Sequence, residues 1–366
     1  MSHGPAVVRS RHHSHGDFSD LRAVDSGPGK RGLTGEGNLR VTGAAVTGYL
    51  HSGYAESLAE FGTPRELPRC GGWILERIIP GSRDVDAMGC YPLFACRDWG
   101  NLHQDLEPLE GQLVSLTLVT DPFGEYDETA LERCFRDVVI PFQEHFVIDL
   151  SRPGHESVSR HHRAYARKAL AKIRVELCRQ PQHFLNEWMD LHRTLIARHA
   201  ISGVRAFSRP AFAAQLALPG TVVLRACCGN TLVGAQIWLL HGNVAYGHVL
   251  AFNDAGYELG ASYALYWCAI EHFSQTVRWC DIGAVPNMTG SGAEGLRRFK
   301  RGWSRSTRTA YLCGRIFDRG RYAELAAARG GSTIDYFPAY RVGEFAPARR
   351  PALAQAGEKP QPWKPS

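Results

Sequence analysis

The stretch that decides the fold is "TVVLRACCGNTLVGAQIWLLHGNVAYGHVLAF", residues 221–252. It contains three apolar runs, which are separated by "CGNT" and "HGNV". Glycine and asparagine at these positions favour tight hairpin turns, so the stretch predicts three consecutive antiparallel strands. The next segments predict a helix, "GASYALYWCAIEHFSQ" (260–275), and then a further strand, "RWCDIGAV" (278–285).

Helices and strands also alternate on either side of this meander. Upstream, helical patterns occur in "YAESLAEFG" and "DETALERCFRDV", and strand patterns occur in "GGWILERII", "CYPLFACR", "QLVSLTLVTD" and "HFVIDL". Two further helices lead into the meander, and "SGAEGLRRFKR" and "RTAYLCGRIF" predict a helix and a last strand. This mixture predicts an α/β (α+β) layer structure. We expect domains over 45–153 and 154–345, with disordered tails over 1–44 and 346–366, the second being rich in proline.

The composition limits the possible class of protein. The chain has 366 residues, of which 44% are hydrophobic, and a formal net charge of +6. This mild excess of basic residues favours an anionic partner but does not indicate a DNA-binding protein. The longest apolar run, "TLVGAQIWLL", is too short to span a bilayer, and no signal peptide is evident, so we expect a cytoplasmic protein without an integral membrane segment. None of the ten cysteines forms a C-x-x-C pair, so no metal site is predicted.

The segment "GLRRFKRGWS", residues 295–304, concentrates positive charge on one short predicted helix. Ser291 and Glu294 form a capping box that predicts a helix start near Gly292, and Gly302 is a natural stop. The helical spacing predicts that Leu296, Phe299 and Trp303 face the core and that Arg297, Lys300 and Arg301 share an exposed face with Arg298 beside them. These cations either bind an anionic group or remain solvated and stabilise the helix dipole.

Four segments together resemble the Fem-type transferases, a GNAT-like group. These are "HFVIDLSRP" (145–153), "HHRAYARKALAKIRVEL" (161–177), "ASYALYWCAIEHFSQTVRWCDIGAV" (261–285) and "EGLRRFKRGWS" (294–304). The last is similar to a Gly-Leu-x-x-Phe-Lys signature and is the most specific of the four. The resemblance covers roughly residues 141–317. It implies two GNAT-like domains side by side, each a mixed sheet flanked by helices, the first of them degenerate.

The resemblance also implies an activity. Members of this group transfer an activated acyl group to an amine and form an amide, with no tightly bound cofactor. The donor would be an acyl-CoA such as acetyl-CoA, which makes the protein an N-acetyltransferase, or an aminoacyl-tRNA. The acceptor would be an amine on a small molecule or on a peptide or cell-wall precursor. Lys300 would stabilise the oxyanion of the tetrahedral intermediate. A non-catalytic GNAT-like binding protein remains an alternative.

The segment after the meander, "NDAGYELGAS" (253–262), bears on the donor. GNAT enzymes that use acetyl-CoA carry a glycine-rich phosphate loop at this junction. Here Gly256 is a candidate for phosphate contact, but no Arg/Gln-x-x-Gly-x-Gly/Ala run is present. Glu258 would repel a phosphate. The departure indicates a non-standard donor.

The remaining candidates have both structural and functional interpretations. Asp281 either accepts or orients the proton of the amine, or it caps a turn before Gly283. Tyr246 and His248 share one face of the third predicted strand, and His248 is either structural or catalytic. The basic residues on the predicted helix and loop before the meander are either solvated or in contact with a phosphate. The predicted donor-binding or substrate-binding set is Arg297, Arg298, Phe299, Arg301, Trp303, Tyr246, His248, Gly256, Arg163, Arg167 and Arg205.

Overall fold

A computed structural model describes residues 46–285, 291–329 and 336–344, which belong to one compact unit. The expected tails over 1–44 and 346–366 lie outside these residues. In the described part of the chain, eleven strands form one mixed sheet in the order β1-β2-β3-β4-β11-β5-β10-β9-β8-β7-β6. The strands are β1 (Thr63–Leu67), β2 (Gly72–Ile78), β3 (Val85–Gly89), β4 (Ser115–Val119), β5 (Val138–Asp149), β6 (Arg174–Leu177), β7 (Thr221–Cys228), β8 (Thr231–His241), β9 (Val244–Phe252), β10 (Trp279–Ala284) and β11 (Thr307–Ile316).

Helices pack against this sheet and join its strands. They are α1 (Ser52–Glu56), α2 (Leu102–Leu106), α3 (Glu128–Cys134), α4 (Gly154–Ser157), α5 (Arg160–Leu170), α6 (Leu185–His199), α7 (Arg209–Leu216), α8 (Asp254–Leu259), α9 (Ala261–Phe273), α10 (Ser291–Trp303) and α11 (Arg319–Ala328). The expectation of an α/β protein with a mixed sheet flanked by helices is confirmed. None of the described helices is long and apolar enough to cross a membrane.

The three predicted hairpin strands form as expected. Strands β7, β8 and β9 pair antiparallel, and Gly229 and Gly242 occupy the two turns with positive φ angles. Strand β10 then lies parallel to β9, because α8 and α9 connect the two strands as a crossover. Two apolar clusters fix this half of the sheet. One includes residues of α6 and α7 and the other includes residues of α5, α9 and α10.

Strand β5 joins the two predicted segments into one sheet. It pairs antiparallel with β10 along one edge and with β11 along the other. Strand β11 comes from the end of the second segment, yet it also pairs with β4 of the first. The expected boundary at residue 154 therefore falls between elements that share a sheet, and the division into two domains stays a prediction.

One strand prediction in the first segment is wrong. The segment "CYPLFACR" (90–97) forms no strand, and only Phe94 makes an isolated bridge, to Thr120. Pro92 has no N–H to donate to a strand ladder, which disfavours pairing on both sides. Strand β3, which was not predicted, pairs with β2 instead. Its apolar pattern is interrupted by the buried Asp86.

Helix α10 differs from its prediction at three positions, two that concern burial and one that concerns where the helix ends. Lys300 is buried, with 7% of its surface exposed, whereas Leu296 is 36% exposed. Gly302 lies inside the helix rather than ending it, because α10 continues to Trp303. The helix packs so tightly on α5 that a Cβ at Gly302 would lie 2.0 Å from the ring of His162. The predicted capping side chain of Ser291 lies outside the described side chains.

We expect Gly302→Ala to destabilise the protein by about 1–3 kcal/mol, because the added methyl group overpacks the contact with His162. Gly295→Ala is the matched control, since a Cβ at this exposed position of the same helix meets no atom within 4 Å. It should stabilise the helix by about 0.5–1 kcal/mol. Urea unfolding measures both changes, and similar effects of the two substitutions would contradict the packing described for α10.

Candidate active site

The parallel strands β9 and β10 separate in the middle of the sheet. Their pairing runs from Val244 and Trp279 to Tyr246 and Asp281, and β9 then continues to Phe252 without β10. A bulge between Asp281 and Ala284 bends β10 on its other edge. The main-chain groups at the end of β10 therefore form no ladder hydrogen bonds with β9. They lie beside the buried side chains described in the next paragraphs.

Lys300 reaches this end of β10 from α10. Its Nζ donates a hydrogen bond to the carbonyl oxygen of Ala284 at 2.7 Å. A Cβ at Gly283, whose φ is +78°, would lie 3.3 Å from the same Nζ, so the lysine passes close to the strand. Burial lowers the pKa of Lys300 to about 8, although the nearby charge of Asp281 favours the ammonium form. The ammonium has three donors and one partner among the described residues.

Asp281 is only 2% exposed, and both of its carboxylate oxygens have partners. One oxygen accepts from Nδ1 of His145 at 2.8 Å and the other accepts from the N–H of Gly283 at 2.7 Å. Since Nδ1 of His145 donates to a carboxylate, Nε2 is the acceptor in the neutral ring. This Nε2 is buried and has no hydrogen-bond partner in the described part of the chain. Asp281 also forms the turn contact with Gly283 that was its alternative interpretation.

Asp121 is a second buried carboxylate in this cluster. It accepts from the hydroxyl of Tyr246 at 2.8 and 3.0 Å and from the N–H of Phe123 at 2.9 Å. The pKa of Asp121 is raised to about 6, mainly by burial and also by the negative charge of Asp281, while the bonded N–H and hydroxyl donors oppose the shift. Asp121, Asp281 and His145 are close enough to influence one another electrostatically.

Tyr246 and His248 share a face of β9, as their spacing predicts, and both rings contact Tyr49. Nε2 of His248 lies 3.1 Å from the Gln215 side-chain oxygen, which can only accept, so Nε2 donates. Nδ1 accepts from the hydroxyl of Tyr49 at 3.1 Å. Burial lowers the pKa of His248 to about 3, which keeps the ring neutral. Both nitrogens are occupied, which supports the structural interpretation of His248.

A basic cleft of about 890 Å³ opens between α10, α5 and β5. Val285, the residue after the Lys300 acceptor, lines it, so the cleft adjoins the end of β10. Four arginines line the cleft. Arg297 forms an ion pair with Glu294, whereas the other three form no ion pair with a described residue. Phe299 and Trp303 lie behind the cleft and pack on His162. The lining arginines are Arg297, Arg298, Arg301 and Arg305.

The remaining predicted donor contacts lie outside this cleft. Gly256 has a packing function, because a Cβ there would lie 2.0 Å from the carbonyl oxygen of Val233. Its N–H already donates to the Asn253 side chain at 2.9 Å, as part of the cap of α8. Arg163 and Arg167 lie on α5 but do not line the cleft, and Arg205 lies near Tyr91 in a short 3₁₀ turn.

Sequence reasoning missed Asp121, His145 and Arg305. Asp121 follows the apolar run "LVSLTLV", and His145 opens the run "HFVIDL". A polar side chain at the border of a buried strand was the available signal, but only the antiparallel pairing of β5 with β10 shows that His145 meets Asp281. Arg305 lies just beyond α10 and was outside the helix pattern considered.

We expect Tyr246→Phe to destabilise the protein more at pH 8 than at pH 5. The folded-state pKa of Asp121 is above its ordinary value of 3.8, so the stability this group contributes is present at low pH and is lost as pH rises through about 6. At pH 8 the substitution removes a donor to a buried carboxylate, at a cost of about 1.5–3 kcal/mol. At pH 5 it removes a bond to a neutral carboxyl, at a cost of about 1 kcal/mol.

Urea unfolding at the two pH values measures this difference. Tyr49→Phe is the matched control, because its hydroxyl donates to His248, which stays neutral throughout this range. The loss for Tyr49→Phe should therefore not depend on pH. Equal losses for Tyr246→Phe at both pH values would show that Asp121 does not titrate as described.

Comparison with known proteins shows what this fold is similar to. Residues 156–301 match the model of the acetyltransferase (GNAT) domain, a range that includes α5, the meander and most of α10. No curated protein sequence matches the chain. The crystal structure of FemX aligns over 74% of this chain and 92% of its own, with a TM-score of 0.56 and 11% identity.

A second solved structure has a comparable likeness. The C-terminal domain of a putative lysylphosphatidylglycerol synthetase from Agrobacterium fabrum aligns over 76% of this chain and 93% of its own, with a TM-score of 0.51 and 15% identity. At such identities the two likenesses show the fold. Together with the domain match over residues 156–301, they show that this chain has a GNAT-like fold that is similar to the fold of FemX.

Proposed function

We propose that this protein is an acyltransferase that forms an amide by moving an activated acyl group to an amine. The observation that carries the proposal is the Lys300 ammonium, which is buried, bonded once to Ala284, and placed where β9 and β10 separate. The attack of an amine on a thioester or ester produces a tetrahedral oxyanion. A fixed donor beside that oxygen stabilises the transition state more than the ground state.

The surroundings of Lys300 suit this role. Its pKa of about 8 leaves the side chain charged at neutral pH, and two of its donors have no acceptor among the described residues and can serve an oxyanion. Because the site is buried, the effective dielectric constant is low and the interaction is stronger than in water. Loss of one oxyanion donor costs about 3–4 kcal/mol in other enzymes, which sets the scale expected here.

The basic cleft supports a phosphate-bearing donor, and we propose an acyl-CoA such as acetyl-CoA. Arg298, Arg301 and Arg305 line the cleft without a carboxylate partner among the described residues. Val285 connects it to the end of β10, so phosphates in the cleft would place an attached acyl chain beside the separated strands. The main-chain groups of β9 beyond Tyr246 that β10 leaves unpaired suit an extended chain that contains amides.

The attacking amine must lose a proton, and we assign its acceptance to the pair formed by His145 and Asp281. Both oxygens of Asp281 are occupied, so its role is to position the imidazole ring. Nε2 of His145 is the acceptor without a partner in the described cluster. Asp281 also stabilises the imidazolium that forms after proton transfer.

An aminoacyl-tRNA is the second candidate donor. The volume of the cleft suits a large polyanion, as do the exposed cations on α5 and just beyond it, namely Arg160, Arg167, Lys168 and Lys172. The Gly256 N–H is engaged in a cap, so the α8 segment does not supply the usual phosphate contact at that position. For either donor the expected acceptor is an amine on a small molecule or on a peptide.

Lys300→Met tests the function directly. Mass analysis of products from a panel of amines, with acetyl-CoA or with charged tRNA as donor, should show amide formation by the wild type. The substitution should lower kcat by roughly two to three orders of magnitude. Its melting temperature should remain near that of the wild type, because removal of a buried charge offsets the lost hydrogen bond. Partner binding without product from either donor would favour the non-catalytic alternative.

The pH dependence should also report Lys300. Because the ammonium is required, kcat/KM should fall as pH rises through about 8, where Lys300 loses its proton. Lys300→Arg keeps its charge in this range, so the remaining activity should not show that fall. Steady-state rates between pH 6 and 10 measure the effect. A wild-type rate that rises steadily to pH 10 would rule out a charged Lys300 as the stabilising group.

His145→Asn removes the proposed proton acceptor, Nε2, while it can keep a hydrogen bond to Asp281. Asparagine can keep a donor near Asp281 but has no group equivalent to Nε2. We expect kcat to fall about 100-fold, the lower range for general base catalysis, with the fold intact. An acceptor amine of low pKa, which is already deprotonated below pH 8 where Lys300 is still charged, should recover part of the rate. Unchanged kcat would show that His145 has only a structural role.

A further inference from the structure

Three arginines in the described ranges are almost completely buried, and two of them have carboxylate partners. Arg341 donates to both oxygens of Asp86 at 2.5 and 2.7 Å. Arg77 contacts Asp86 at 3.5 Å and Glu344 at 2.9 Å. Arg315 is equally buried, with 6% exposed, but forms no ion pair with any described carboxylate. A buried charge without a partner is costly, so Arg315 is unusual within this protein.

Arg315 lines a cavity of about 380 Å³ on the side of the sheet that faces α2 and α3. Two exposed arginines, Arg133 and Arg136, line the same cavity, and neither forms an ion pair with a described residue. Arg136 is close enough for its charge to oppose that of Arg315, which adds to the effect of burial in lowering the pKa of Arg315. Three positive charges therefore converge on one small space.

No described carboxylate forms an ion pair with any of these three arginines, although the more distant charges of Glu110 and Glu107 partly offset that of Arg315. Glu107 is the acidic residue in its lining, and it lies beyond ion-pair distance of all three arginines. The guanidinium of Arg315 lies 5.1 Å from the ring centre of Phe317, which gives a modest cation–π interaction. Trp99, Gly100, Ala130 and Cys134 add apolar surface to the wall, and His103 also lines the cavity. An anion with an apolar substituent matches this combination.

We propose that Arg133, Arg136 and Arg315 form a binding site for the phosphate group of a small phosphate monoester. Guanidinium groups bind phosphate oxygens through paired hydrogen bonds, and a dianion matches three converging cations better than a single carboxylate does. The cavity volume suits a small organic phosphate, with its carbon skeleton against Trp99. This site lies apart from the basic cleft, since the two share no lining residue. The proposal does not depend on the acyltransferase function.

Calorimetric titration with phenyl phosphate, inorganic phosphate and malonate tests the site. The basic cleft is a competing anion site, so the titrations use the Arg298→Met/Arg301→Met double variant as the reference protein. Phenyl phosphate should bind more tightly than inorganic phosphate, because it also contacts the apolar wall, and both should bind more tightly than malonate. Arg315→Met and Arg133→Ala/Arg136→Ala in this background should each weaken phenyl phosphate at least about tenfold.

Stability provides a second measurement that separates a ligand site from a structural arginine. In buffer without phosphate, Arg315→Met should leave the melting temperature unchanged or raise it, because it removes an unpartnered buried charge. Arg341→Met is the matched control and should lower it strongly, because Asp86 loses both hydrogen bonds from Arg341 and is left with the longer 3.5 Å contact to Arg77. If Arg315→Met lowers the melting temperature as much as Arg341→Met, Arg315 is structural and the proposal fails. Phenyl phosphate binding that is absent, or unaffected by the substitutions of the exposed arginines, also overturns it.

Discussion

The double pairing of strand β5 is the constraint on which the rest of the structure depends. One edge of β5 bonds to β10 and the other to β11, so this strand connects the meander with the first five strands of the sheet order. The pairing with β10 places His145 against Asp281. The loop after α10 is also fixed here, since the hydroxyl of Ser304 donates to the carbonyl oxygen of Val147 at 2.5 Å. The position of α10, and hence of Lys300, follows from the same strand.

The buried charged side chains of the described residues are of two kinds, those with hydrogen-bond partners for their charge and those with donors left over. Asp281 accepts a hydrogen bond from His145, and Asp86 accepts hydrogen bonds from Arg341. Lys300 and Arg315 are buried with donors for which the described residues supply no acceptor, which is unfavourable in a protein interior. Proteins tolerate such groups where they act on a ligand, and both of these line or adjoin a concave region. The candidate functional regions are thus recognisable by buried cations whose hydrogen-bond donors are not all paired, rather than by charge alone.

Local patterns predicted much of the fold and part of the site. The meander has strong turn residues and regular apolar runs, so its three strands and the following helix were predictable. Lys300 was found because it lies in a distinctive segment, but its burial was not, because helical spacing alone assigned it to an exposed face. The strand Val85–Gly89 contains a buried aspartate whose partner, Arg341, is 255 residues away. The pair of His145 and Asp281, 136 residues apart, likewise depends on sheet pairing that no local pattern records.

The position of β11 between β4 and β5 also has a consequence for synthesis of the chain. A ribosome releases the end of β4 188 residues and the end of β5 158 residues before β11 begins, so the facing edges of these strands lack their native neighbour until late in translation. Exposed strand edges are sites of mispairing. The sheet around β4 and β5 cannot complete its hydrogen bonding until residue 316 has left the exit tunnel, so this pairing forms after the other ten strands of the described sheet have been released.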